Sequence, residues 1–358
     1  MPQKKSEPIA RKRRVAAEKK TFTHKTVERE EKIGKLISSI ESSRNSKVIV
    51  YFTGDKKPEE HFATQVAPDI LAPARDILRS DIKNCDKVTL VINTNGGLLD
   101  APWPFVNLIR EYCKDFEVFV MEKSLSAGTL IALGADKIIM SPYSSLSPID
   151  PARTMPDQNQ QIRRIEIEDI VGYIDFVKDK VGITDNVALS ETMKALTTEM
   201  QPTQLGSANR AHALIRGLAK KMLSLHKSRL QDVTVKQITD HLTKELYSHK
   251  HLINRKEAKE EVGLGNVIEF ACDSDEDLVY QLFEEYQRIM EIKEVFDPGK
   301  IIGDEITGTK ELTRAVLHSK NIRFNFVSRY EIMRMPDPTG QQKFNMNNVY
   351  NEWERKQI

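Results

Sequence analysis

Two short stretches of this sequence hold residues whose types and spacing suit acyl-transfer chemistry. Gly96 and Gly97 follow an apolar run, Val88 to Ile92, and Ser126, Ala127 and Gly128 follow the next one, Phe116 to Met121. A glycine pair after a strand lets the backbone take φ > 0 and leaves its N–H groups open to a ligand. In that reading the N–H of Gly97 is half of an oxyanion hole; the alternative is an ordinary tight turn. Ser126, at the first turn of a small-residue helix, sits in the positive field of the helix start, which favours developing negative charge. There it reads as a nucleophile, with the N–H of Ala127 as the second donor, as in esterase elbows. The alternative is a serine that caps the helix. The two motifs, one βα unit apart, favour the chemical reading together.

A serine hydroxyl is a weak nucleophile without a base. None of the eight histidines falls between Lys87 and Ala152. His249 and His251 form a close pair that, with no further ligands, reads as a polar surface turn rather than a metal site. Asp150, in the Pro148-Ile149-Asp150-Pro151 loop, follows the strand after the serine helix, so topology sets it near Ser126. It reads either as a site residue or as a turn-stabilising aspartate. Lys178 shares a helical line with Ile167, Val171, Ile174 and Val181. Partly desolvated there, its amine would have a lowered pKa and could act as the base; the alternative is a lysine that snorkels to solvent. A histidine from the 241–251 segment, from this subunit or another, is the next candidate.

The elements that must position these residues are strands at Lys47–Phe52, Val88–Ile92, Phe116–Met121 and Lys137–Met140, with helices between them. If the strands are parallel neighbours, both turns lie at one edge of the sheet, where open α/β sheets place their sites. Further helices are expected over Val27–Ser42, Gln65–Ile82, Ile165–Val181, 187–200, Ala208–Leu230 and Asp275–Glu294. Asn254–Phe270 reads as a capped helix, a glycine stop and a short strand, and Asn321–Met335 as a β-rich piece.

Composition bounds the rest. The net charge of +2 argues against a polyanion-binding protein overall, yet residues 1–20 carry eight Lys/Arg. That run could touch nucleic acid, but a solvated tail is the favoured reading. Cys85, Cys113 and Cys272 are few and far apart in sequence and share no metal-ligand spacing, which points to a reducing, cytoplasmic setting. No run reaches the ~18 apolar residues of a membrane span, so no membrane partner is expected. No metal or other cofactor is called for.

At these residues the sequence resembles the Clp/crotonase superfamily. Ile92–Gly97, INTNGG, is similar to the strand-end glycine motif of Clp-type serine peptidases, and Ser124–Pro142 to their nucleophile helix and following strand. Leu146–Pro151 and Asn254–Gly265 resemble elements of the serine dehydrogenase proteinase family. The resemblance covers roughly residues 45–290. It implies a ββα-superhelix α/β fold with a helical C-terminal part; residues 291–358 lie outside it and read as a small C-terminal extension. It further implies homo-oligomers and hydrolysis of peptides or unfolded segments, with Ser126 as nucleophile and Gly97 and Ala127 as oxyanion donors. Clp-type enzymes carry a histidine after the nucleophile helix, and Ser147–Pro151 has none. Signal-peptide-digesting relatives use a lysine some tens of residues on, which suits Lys178. Two other readings remain: a crotonase-like acyl-CoA enzyme that holds an enolate on the same N–H pair, and a non-catalytic assembly or nucleic-acid-associated protein.

Overall fold

The computed structural model describes residues 27–149, 152–156, 162–245, 251–336 and 342–358. The basic run 1–20, Asp150 and His249 lie outside the described residues.

The four apolar runs become four neighbouring strands, β1 (Lys47–Thr53), β2 (Cys85–Thr94), β3 (Cys113–Ser124) and β4 (Lys137–Met140). Each is parallel to the next. Near-continuous Val, Ile, Leu and Phe suit them to a parallel sheet, which is covered on both faces. On one face Leu90, Ile92, Val118 and Val120 pack with the helices Leu71–Ile77, Pro102–Arg110 and Ala127–Leu133. The end of the long Pro202–Leu223 helix closes this layer through Ile215, Ala219 and Met222. On the other face Val91, Phe119, Met121 and Ile139 meet the helix over residues 27–44 and the Asp273–Ile289 helix.

Beyond the first four strands, β5 (Ser145–Leu146) adds to the end of β3, while β6 (Ala152–Pro156) and β7 (Ile162–Glu166) pair antiparallel in a separate two-stranded sheet. Next to β4 lies β8 (Ile268–Phe270), also parallel. The chain then returns to the opposite side of the sheet. There β9 (Thr307–Ser319), β10 (Arg323–Met335) and β11 (Lys343–Lys356) form an antiparallel meander, and β9 is bonded to β1. The sheet therefore runs β11-β10-β9-β1-β2-β3-β4-β8.

Several expected elements change shape. The span Gln65–Ile82 opens with a 3-10 turn at Pro68–Ile70 and ends in a π turn at Leu78–Ile82; Pro68 stands at a helix start, where its missing N–H costs nothing. The β-rich piece at 321–335 is the middle strand of three. Cys85 and Cys113, distant in sequence, face each other in register at the starts of β2 and β3, both as free thiols. Burial pushes the Cys113 thiol up to about 12.

Candidate active site

Parallel pairing of β2 and β3 carries both motifs to the same edge of the sheet. Their pairing slips by a step before its last partners, Thr94 and Ser124. Asn93 bridges the slip: its Oδ1 accepts from the N–H groups of Glu122 and Lys123 at 3.3 and 3.2 Å. Thr94 ties one turn to the other. Its carbonyl accepts from Leu125 N at 3.0 Å, and its Oγ1 accepts from Gly96 N at 3.0 Å and from Thr53 Oγ1 at 2.8 Å.

Ser126 stands between the end of β3 and the Ala127–Leu133 helix with φ 50° and ψ −110°. Few non-glycine residues adopt φ > 0, and strain of this kind costs on the order of 1–3 kcal/mol. It is the geometry of a strand-to-helix elbow that lifts a side chain off the sheet edge. Gly96 makes room for it. A methyl group there would lie 2.5 Å from Leu125 O, 2.8 Å from Ser126 Cβ and 3.1 Å from Ala127 N, and the position has φ 94° besides.

Gly97 is hemmed in from the other side. Val66 donates to Gly96 O and accepts from Leu98 N, both at 2.8 Å, in a parallel bridge to Gly97. A methyl group on Gly97 would lie 2.2 Å from Val66 O. In such a bridge the groups of the central residue point away from the partner. Val66 stands on the β1 side, since Thr64 N donates to Gly54 O at the end of β1. The Gly97 N–H therefore faces the β3 side, where Ser126 lies. Ala127 opens its helix, so its N–H has no partner within the helix. Neither N–H, nor Ser126 Oγ, makes a hydrogen bond among the described residues.

A buried hydroxyl pair backs the elbow. Ser147 Oγ accepts from Ser126 N at 2.8 Å and donates to Pro148 O at 2.9 Å. Thr129 Oγ1 accepts from Ser147 N at 3.1 Å. Neither Ser147 and Thr129 nor Asn93 and Thr94 stood out in the sequence. The available signal was a polar pair, Asn93-Thr94, closing an otherwise apolar strand.

Of the expected site residues, Ser126 and Ala127 lie against Gly96, the neighbour of Gly97. Lys178 is exposed on a π turn, Phe176–Lys180, at the rim of an apolar cavity of about 130 Å³ with Val177, Leu189 and Met193. Lys123, nearest the elbow in sequence, holds Asp55 at 2.6 Å. Among the histidines, His251 pairs with Glu257, His226 with the carbonyl of Leu133, and His318 with Tyr286. Among the described residues no group of three or more His, Cys, Asp or Glu could hold a metal ion. No helix there is long and apolar enough to cross a membrane.

The family comparison falls on the segment that contains helix 27–44, all four core strands and the elbow. Residues 21–169 match the ClpP-like SDH-type serine proteinase family. The fold is accordingly of the Clp/crotonase type. A curated relative, an uncharacterized protein of Methanocaldococcus jannaschii, is 32% identical over 126 residues. That stretch is 33% of this chain and 42% of the relative, so less than half of the relative's length is spanned. Among solved structures, a serine-to-alanine variant of the 1510-N membrane-bound stomatin-specific protease is 25% identical, over 37% of this chain and 62% of that one, with a TM-score of 0.25. A lysine-to-alanine variant of the same protease in complex with a substrate peptide is 17% identical, over 66% and 99%, with a TM-score of 0.27. Both superpositions are loose.

Proposed function

We propose that this protein is a cytoplasmic serine peptidase that cleaves peptides or unfolded protein segments at Ser126. The observation that carries the reading is the strained elbow at Ser126, with the N–H groups of Gly97 and Ala127 unbonded among the described residues, within a segment that matches a serine proteinase family. Ser126 Oγ attacks the scissile carbonyl, and its proton passes to a base. The carbonyl oxygen becomes an oxyanion held by the two N–H groups, which are fixed before the reaction and so need no reorganisation. The C–N bond then breaks, the amine leaves with the proton, and water releases the acyl group from Ser126.

Lys178 is the base in this proposal, with Asp150 shaping the site. Lys178 is exposed, and in this proposal the 167–180 segment brings it to Ser126, within one chain or from a second copy in a homo-oligomer. The acyl-CoA alternative uses the same two N–H groups for an enolate, but it gives the strained serine no task.

The test is cleavage of a reduced, unfolded protein by the natural chain and by Ser126→Ala. The natural chain is expected to cleave it and the variant to lose at least about a thousandfold in rate, the scale on which nucleophiles of this kind act. Cleavage by Ser126→Ala at the natural rate would remove the proposal. Lys178→Ala with an unchanged rate would remove only the base.

A further inference from the structure

We infer that Ser147 is a positioning residue for Ser126, and that it is set in place from the C-terminal part of the chain. The inference deepens the peptidase reading and rests on it. Ser147 is 2% exposed and Thr129 fully buried, so their hydroxyls have no water to bond and hold fixed partners. The strained backbone of Ser126 needs something to hold it, and the Ser147 hydroxyl takes its N–H. That hydroxyl is itself oriented twice over, by its own bond to Pro148 O and by Thr129 Oγ1 on the Ser147 N–H. The Thr129 proton falls between Ser124 O at 2.8 Å and Ser147 O at 3.0 Å, so the end of β3, the serine helix and the 147 loop share one hydroxyl.

The loop is clamped from outside the family-matched segment. Leu146 and Ile253 exchange both backbone hydrogen bonds, at 3.0 and 2.9 Å, and Ile149 N donates to Leu242 O at 3.0 Å. Leu242 and Ile253 are buried in the main core. The link therefore runs from residues 242 and 253, through 146–149, to the Ser147 hydroxyl and the Ser126 N–H. A slack link lets the elbow relax towards ordinary φ, which swings Oγ away from a carbonyl held at Gly97 and Ala127. Binding is then kept and the chemical step slows.

Saturation kinetics of labelling by a fluorophosphonate separate these effects, because the maximal rate reports attack by Ser126 and the half-saturating concentration reports binding. Ser147→Ala is expected to lower the maximal rate about tenfold or more, with the half-saturating concentration unchanged; Ser147→Thr, which keeps the hydroxyl, should recover most of it. Thr129→Val should show the same split and Thr129→Ser should not. Ser147→Ala labelled at the natural maximal rate would overturn the inference. If Ser147→Ala does not fold, equal rates for Thr129→Val and Thr129→Ser would overturn it instead. A natural chain that takes no label contradicts the peptidase reading itself, a different result from either of these.

Discussion

At the scale of single residues, the candidate site depends on close approach as much as on chemistry. Gly96 and Gly97 lie between the Val66 backbone and the Ser126 elbow, with no room for a side chain on either. A side chain at 96 would have to displace Leu125 O or Ser126 itself, in a conformation that L residues rarely adopt. Overpacking of this kind costs typically ~1–3 kcal/mol, and here it falls on the nucleophile. Gly96→Ala is therefore expected to abolish labelling by a fluorophosphonate while lowering the melting temperature by only a few degrees, read by calorimetry beside the labelling gel. Labelling at the natural rate would mean that the turn does not shape the site.

At the scale of elements, the parallel order of β1 to β4 does most of the positioning, and it was legible because those strands are buried on both faces and read as apolar runs, interrupted at Thr89 and Glu117. The shared edge for the Gly96-Gly97 turn and the Ser126 elbow followed from it, since two adjacent parallel strands must end at the same side. The meander was harder to see. β9 carries Lys310, Glu311 and Arg314, and β11 reads KFNMNNVYNEWERK, so neither shows a clean apolar alternation. For β11, the edge strand, a polar stretch of that kind is what exposure needs. The hydroxyl link through Ser147 and Thr129 was also hidden, because hydrogen bonds between residues 18 or more apart leave no mark on spacing. One histidine of β9 has a consequence of its own. His318 is buried against Tyr286, and burial, followed by the nearby Arg323, lowers its pKa from 6.5 to about 3. Between those values the unfolded chain binds a proton that the folded chain refuses, so stability falls as pH drops through that window, by up to ~1.4 kcal/mol per unit. Denaturant midpoints measured from pH 7 to 4 should show this slope, and His318→Gln should flatten it. An equal slope in the variant would locate the proton uptake elsewhere.

At the scale of the whole molecule, the family-matched segment holds the elbow and both N–H groups, yet it is not closed without the rest of the chain. β9 bonds to β1 from Ile49–Ser319 to Thr53–Ala315, and Val316 and Leu317 are buried in the two cores on either face of the sheet. A chain ended at residue 303 would expose the edge of β1 and both cores, so it is expected to aggregate or to unfold without cooperativity; a soluble, cooperatively melting fragment would show the meander to be an appendage. The central claim is narrower and is carried by one oxygen atom. A fluorophosphonate should add one phosphonyl group to the natural chain, seen as a single mass increment of the intact protein, and peptide mapping should place it on Ser126. No increment, or an adduct that persists in Ser126→Ala, would contradict the account.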